Sequence, residues 1–358
     1  MKTDKRILLV AGGTGGHIWP AVSFGKWIEK HHPKVRVDYM CGNRPLEKEI
    51  YSAAECEPFI LEIEGSPLSG SFRERCKRAR ALLKSFFDAR GKIKRTQPDF
   101  VLVFGGYISF PALLAAKMLK IPAGVQEQNA YAGKVTRFAA ARKIPVFSGW
   151  EECMPLKESS YVRTCVPVRN FRLPKQEEAW KRIGLPADEY PSGKKAVVLT
   201  GSLGSSSVKE QICRLADKEP FCRRTFLFSA VSDKLEKQSN NVYLLPKIWD
   251  TENLFSLADM VIMRAGGSSL SEAGVLGIAS LVIPWKNAAN NHQFHNAVAF
   301  ASENRAVIWD EKQEKQLEKK LLQLEKMSDE KEEKIVSKLY NNADGISERL
   351  WTEISSHC

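Results

Sequence analysis

The chain of 358 residues is too long for one ordinary core and suits two domains of roughly 150 to 200 residues each. Its formal charge is +12, and its eight cysteines include no Cys-x-x-Cys pair, which argues against a disulfide framework or a zinc site. No run approaches the roughly 18 to 20 apolar residues of a membrane span, and MKTDKRILLVAGG enters a strand without a signal-peptide cleavage site, so a cytoplasmic location is expected.

Arg6 to Val10 reads as an apolar strand. It runs into Gly12-Gly13-Thr14-Gly15-Gly16-His17, a loop bare enough for a bulky polar ligand to approach the backbone. Pro20 to Glu29 reads as a helix with Pro in its first turn, and Trp19, Phe24 and Trp27 stand at core-facing spacings. Val35 to Met40 is a second strand, and a helix follows around Pro45 to Ala54. The loop spacing is not Gly-x-Gly-x-x-Gly and no acidic residue closes the second strand, which disfavours a nicotinamide cofactor.

From Phe72 to Arg95, ten Lys or Arg stand against Glu74 and Asp88, a net +8 in 24 residues. Leu82, Leu83, Phe86 and Phe87 fall at helical spacing among them. Two readings fit: a helix lying on an anionic membrane surface, or one whose apolar side packs on its own domain. Nucleic acid is not expected as a partner, because no helix-turn-helix, zinc-finger or RNP-type motif accompanies the charge. Phe100 to Phe104 is a buried strand ending in Gly105-Gly106-Tyr107, and Ser109 to Leu119 is its helix. Ala123 to Gln126 delivers Glu127, Gln128 and Asn129 to the carboxyl edge, where open α/β sheets bind ligands.

Cys165 to Gly193, with four prolines, has linker composition. The second half repeats the pattern. Ala196 to Leu199 enters Thr200-Gly201-Ser202-Leu203-Gly204-Ser205-Ser206, and Phe226 to Phe228 and Val242 to Leu245 are shorter strands. Met260 to Met263 ends in Gly266-Gly267, and Ser268 to Gly274 shows a helix start. A glycine turn feeding a helix N-terminus makes an anion site suited to a diphosphate. Ser269-x-x-Glu272 fits a capping box first, and a compatible role places the carboxylate for ribose hydroxyls, which points to a sugar nucleotide. After the strand Ala279 to Ile283 comes His292-Gln293-Phe294-His295-Asn296, whose two histidines lack a third ligand. No Asp-x-Asp occurs, so neither a metal nor another cofactor is expected, and helix N-termini must stabilise a departing diphosphate. Asp310 to Lys338 alternates Glu and Lys as a solvated helix does, and Ile346 to Ile354 reads as a last helix.

GGTGGHIWPA, the GGY turn, QEQNAYAG, PVR at 167 to 169, TGSLGSS, RAGGSSLSEAG and PWKNAANNHQFHNA occur in an order that resembles the MurG family. These are the peptidoglycan enzymes that move N-acetylglucosamine from UDP onto lipid I, making lipid II. The resemblance spans roughly residues 6 to 310. It implies an α/β GT-B fold of two Rossmann-like domains facing across a cleft, residues 1–165 for the acceptor and 166–340 for the donor. A final helix near 341–358 would pack back on the first domain. On the donor side it implies Glu272 on the ribose, Ser268 and Ser269 at the phosphates, Gln293 on the sugar, Arg169 and Ser202 beside the diphosphate, and the backbone at Ile248 on the uracil. Thr14, Gly15, Gly16 and Asn129 would also touch the donor. On the acceptor side, Gly13, Thr14, His17, Tyr107 and Asn129 would meet lipid I. The basic segment matches the family's membrane-contacting patch, which implies a peripheral enzyme on the cytoplasmic face of the bacterial inner membrane. The family usually has His where Gln126 stands, Gly where Cys165 stands, and acidic residues where Asn290 and Asn291 stand.

The reaction the resemblance implies inverts the anomeric centre and needs a base for the acceptor hydroxyl. His17 is the first candidate, because its ordinary pKa lies near neutrality. Glu127 is the second, or else the group that orients His17. The plainer account of His17 is a helix-start residue that hydrogen-bonds phosphate. Other readings are a diacylglycerol glycosyltransferase, a UDP-sugar epimerase, or a membrane-associated protein that binds a UDP-sugar without turnover.

Overall fold

The computed structural model describes residues 5–63, 72–199, 206–330 and 342–357, with the backbone alone for 72–78. The chain divides into two compact units, Met1–Asn170 with Asn342–Cys358, and Phe171–Asn341.

The first unit contains β1 (Arg6–Val10), α1 (Gly15–His31), β2 (Arg36–Cys41), α2 (Pro45–Ala53), β3 (Pro58–Ile60), α3 (Phe72–Thr96), β4 (Phe100–Val103), α4 (Ser109–Met118), β5 (Ala123–Glu127), α5 (Lys134–Ala140), β6 (Val146–Ser148) and β7 (Val162–Arg163). Its strands form one parallel sheet in the order β3-β2-β1-β4-β5-β6-β7. Central strands such as Phe100–Val103 are apolar throughout and fully buried, as a parallel sheet covered on both faces requires. The strand order reverses between β1 and β4, so the loops after those two parallel strands open the crevice at the sheet's carboxyl edge.

α1 begins at Gly15, earlier than the expected Pro20, because Thr14 is extended (φ −147°, ψ 161°) and serves as N-cap. Gly15, Gly16 and His17 are therefore its first turn rather than loop, and Pro20 lies inside the helix. Phe24 and Trp27 are buried as expected, whereas Trp19 is only half-buried.

The second unit contains α6 (Gln176–Arg182), β8 (Lys195–Leu199), α7 (Ser206–Ala216), β9 (Thr225–Ser229), β10 (Glu236–Ser239), β11 (Val242–Leu244), α8 (Glu252–Leu257), β12 (Met260–Arg264), α9 (Gly267–Val275), β13 (Ser280–Ile283), α10 (His292–Glu303), β14 (Ala306–Ile308) and α11 (Leu317–Asp329). The sheet order is β10-β11-β9-β8-β12-β13-β14, parallel except for the charged edge strand β10, and its crevice opens between β8 and β12. The presumed linker holds α6, whose Trp180 is fully buried and donates from Nε1 to the Pro186 carbonyl at 2.7 Å. In the Glu/Lys-rich tail, 331–338 lie outside the described residues, and the part before them is likewise not simply solvated. Leu317, Leu321 and Leu324 of α11 are core residues, because the charges occupy one face and the leucines the other.

The last helix, α12 (Ala343–Ser355), belongs to the first unit. Trp351 stacks on His32 with ring centroids 4.6 Å apart, and Asp344 accepts from Asn170 Nδ2 at 3.2 Å.

Candidate active site

At the carboxyl edge of the first sheet, His17 stands on the opening turn of α1 with its ring against the turn after β4. Gly105 (φ +94°) and Gly106 (φ +81°) form that turn. A Cβ on Gly105 would lie 3.0 Å from the imidazole, and one on Gly106 only 2.3 Å from the Gly12 carbonyl oxygen, so side chains are excluded there on two grounds. His17 Nδ1 lies 2.6 Å from Gln128 Oε1, just beyond β5. Strands β1, β4 and β5 are neighbours, which is why three loops far apart in sequence converge on one ring.

The partner of His17 is thus Gln128, which corrects the expectation that Glu127 orients it. Side chains alternate in direction at the end of a strand, and Glu127 is directed elsewhere. It is buried, and its carboxylate accepts from the Asn129 backbone at 3.0 Å, Asn129 Nδ2 at 2.9 Å, the Gly133 backbone at 2.9 Å and the Thr136 hydroxyl. Four donors fill the acceptor sites of a carboxylate. Glu127 organises the loop from 128 to 136 and is poorly placed to take a proton. Asn129 is held within this loop.

The glycine loop rests on a residue the sequence reading missed. Glu47, in the first turn of α2, is fully buried, and its Oε1 accepts from the Gly13 N–H and from the Tyr107 hydroxyl at 2.7 Å. An acidic residue in a first turn reads as ordinary helix-dipole compensation, so nothing in the sequence set it apart. Burial, and then the Glu47 hydrogen bond, raises the Tyr107 hydroxyl pKa above its usual range, while burial with Glu47 nearby pushes the Cys41 thiol up to about 12. The Gly13 N–H is already taken and a carboxylate lies beneath it, so Gly13 is unsuited to a diphosphate. Thr14 is exposed, and Gly15 and Gly16 open α1 with first-turn amides directed at its N-terminal end. Arg169 lies 4.5 Å over the Trp19 ring, within the first unit.

In the second unit the crevice side is a helix start. Gly266 is the N-cap of α9 with extended backbone and makes no side-chain cap, so Ser269 and Glu272 are not a capping box. Gly267, Ser268 and Ser269 form the first turn, the position at which backbone N–H groups lack acceptors within a helix. Ser268 and Glu272 are buried. Ser271 bonds back to the Gly267 carbonyl at 2.9 Å, and Asn296 of α10 donates to the Ala265 carbonyl at 3.0 Å, fixing the turn. Gln293 accepts from the Trp285 N–H at 2.9 Å. Ile248 packs on the core around Leu245 and Leu254. Asn290 (φ +53°) and Asn291 (φ +54°) are both left-handed, a conformation amides tolerate better than most side chains. Ser202 lies outside the described residues. Among the described residues, no three His, Cys, Asp or Glu side chains come together as metal ligands.

Residues 7–147 match the glycosyltransferase family 28 N-terminal domain and residues 196–350 its C-terminal domain. The UDP-N-acetylglucosamine–N-acetylmuramyl-(pentapeptide) pyrophosphoryl-undecaprenol N-acetylglucosamine transferase of Parabacteroides distasonis is 34% identical, covering 87% of both chains. That of Prosthecochloris aestuarii is 33% identical, covering 84% of both. In fold, the chain is similar to MurG of Acinetobacter baumannii, with a TM-score of 0.67 at 22% identity over 98% of this chain and 99% of that one. It is also similar to S. aureus MnaA, solved with UDP, with a TM-score of 0.65 at 16% identity over 98% and 96%.

Proposed function

The chain belongs to the MurG family within glycosyltransferase family 28, and from that premise we infer that it moves N-acetylglucosamine from UDP-N-acetylglucosamine to the muramyl sugar of lipid I, forming lipid II. The observation that carries the chemistry is His17, seated at the switch point of the first sheet with one ring nitrogen held by Gln128. His17 takes the proton of the acceptor hydroxyl as that oxygen attacks the anomeric carbon, and the bond to the UDP oxygen breaks. The α9 start receives the diphosphate, where a helix N-terminus favours negative charge by about 0.3 to 2 kcal/mol depending on exposure. Glu272 serves the ribose, Ser268 and Ser269 the phosphates, Gln293 the donor sugar and Ile248 the uracil. Gly15, Gly16, Thr14, Tyr107 and Asn129 line the side that meets the lipid-linked sugar. MnaA and several epimerases share the fold at under 20% identity, which does not favour epimerisation over transfer.

The enzyme works at an anionic membrane surface through α3. Leu82, Phe86, Ala89 and Ile93 of that helix face the core of the first unit, so that face packs on its own domain. Leu83 and Phe87 are 59% and 58% exposed, and Met118 at the end of the adjoining α4 is 59% exposed. Leaving such side chains in water forgoes about 1.5 to 3 kcal/mol each. With Arg80, Lys84, Lys94 and Arg95 also exposed, the surface suits acidic lipid headgroups over acyl chains. No helix among the described residues is long and apolar enough to cross a membrane.

The test is disaccharide formation from UDP-N-acetylglucosamine and a short-chain lipid I analogue, followed by mass spectrometry. The intact chain forms product, and His17→Ala lowers kcat by about 100-fold or more, the usual worth of a general base. Leu83→Ser with Phe87→Ser lowers binding to phosphatidylglycerol vesicles and leaves turnover of the water-soluble analogue intact. Donor binding without disaccharide would refute the acceptor assignment.

A further inference from the structure

Gln126, where the family usually has His, and Gln128 are both buried, at 0% and 2% exposure. Their amides are oriented by the backbone. Gln126 Nε2 faces the carbonyls of Cys165 at 3.2 Å and Glu127 at 3.4 Å, and a carbonyl can only accept, so the nitrogen end is fixed. Gln128 Nε2 is fixed in the same way by the Gln126 backbone carbonyl at 2.8 Å, and it also donates to Gln126 Oε1. The remaining end of Gln128 is then Oε1, and this is the atom 2.6 Å from His17 Nδ1. An amide oxygen cannot donate, so Nδ1 carries the hydrogen and the lone pair of the neutral ring is left on Nε2.

We propose that Gln128, itself held by Gln126, is a positioning residue that locks His17 in the Nδ1–H tautomer and so presents Nε2 as the proton acceptor. This rests on the reading of His17 as the base. The polarity runs one way, from the ring N–H to Gln128, from Gln128 to Gln126, and from Gln126 to the Cys165 carbonyl, and every link is set by a group with only one possible sense. The step balances. The hydroxyl O–H breaks and its proton goes to Nε2, the new C–O bond forms, and the electron pair of the anomeric C–O bond leaves with UDP. Gly105 keeps the space beside the ring open, since a Cβ there would lie 3.0 Å from the imidazole. A carboxylate partner would orient the ring equally well but would also draw the proton onto it. The amide orients without adding charge.

Two measurements test this on the full-length protein. First, 15N spectra of the wild type, with the His17 signals identified by their loss in His17→Gln, are expected to show a protonated Nδ1 and a lone pair on Nε2 at alkaline pH. The reverse tautomer overturns the proposal, and this reading needs no Gln128 variant to fold. Second, Gln128→Leu is expected to lower kcat by about tenfold or more with little change in KM for UDP-N-acetylglucosamine. Gln128→Glu recovers part of that loss and moves the acidic limb of the kcat profile to higher pH by about one unit or more, as a carboxylate beside an imidazole does. An unchanged kcat in Gln128→Leu, or an unmoved limb in Gln128→Glu, overturns it. Loss of activity in His17→Ala with the reverse tautomer rejects the relay and keeps the base. Retained activity in His17→Ala with the Nδ1–H tautomer rejects the base and keeps the geometry.

Discussion

The carboxyl edges of the two sheets solve different problems. In the first unit the site is made of side chains locked to one another: Glu47 under the glycine loop, Glu127 with four donors, and Gln126 and Gln128 behind His17. In the second it is made of backbone, a glycine turn opening a helix, with Ser271 and Asn296 serving the turn itself. The difference matches the chemistry that the proposed function assigns to each edge. A base must present one nitrogen in one direction, which needs buried partners with fixed polarity. A departing diphosphate needs several N–H groups and a favourable dipole, which a helix start supplies without charged side chains.

Substitutions at three positions sharpen or break this contrast. The largest effect is expected at Glu127. Glu127→Ala leaves the Gly133 N–H and the Thr136 and Asn129 donors without their acceptor inside the first unit, costing about 3 kcal/mol or more of stability, seen as a lower denaturant midpoint. Glu127→Gln, which retains an acceptor oxygen, should lose less. An intact midpoint in Glu127→Ala would mean the loop is held by other contacts. The next effect is at Glu272, buried on α9 and assigned to the ribose in the function proposed. Glu272→Gln should weaken UDP-N-acetylglucosamine binding about tenfold by calorimetry, about 1.4 kcal/mol, while the denaturant midpoint hardly moves. Equal stability losses at Glu127 and Glu272 would erase the distinction between the two edges.

The smallest effect concerns Asp310, whose carboxylate lies 2.6 Å from Lys286 Nζ. The Lys286 hydrogen bond, reinforced by the Lys312 backbone N–H, holds its pKa below the ordinary Asp value. A lowered carboxylate contributes stability above its unfolded pKa and loses that contribution as pH falls through the lowered folded value. The pair is largely solvated, so it is worth at most about 0.5 kcal/mol. Lys286→Met should therefore lower stability slightly at neutral pH and not at all at strongly acidic pH, measured by urea unfolding at both. A loss that persists in acid would place the role of Lys286 elsewhere.

Much of this was legible in the linear chain. Buried parallel strands are apolar end to end, and glycine turns follow where a backbone must come close to another group, so β1, β4, β5, β8 and β12, and the glycine turns after β1, β4 and β12, could be read directly. The helical identity of Gly15 to His17 was hidden, because glycine pairs signal loops and the N-cap Thr14 makes no side-chain bond to betray it. Serine followed three residues later by glutamate suggested a capping box, but the helix had already begun at Gly267. Edge strands such as Glu236–Ser239 carry no apolar pattern, so nothing in the sequence marks them.

What the sequence determined by itself was local and periodic: two alternating α/β halves, glycine turns at their carboxyl edges, a basic amphipathic segment, and histidine, glutamate and glutamine types in a recognisable order. The tertiary structure decided which of them meet. His17 and Gln128 are 111 positions apart, and Gly13 and Glu47 are 34 apart. Only strand order and register bring such groups together, and only burial makes their hydrogen bonds obligatory. The exchange of Glu127 for Gln128 beside the histidine is one residue in sequence and the opposite direction at the end of a strand, because successive side chains there point to opposite faces.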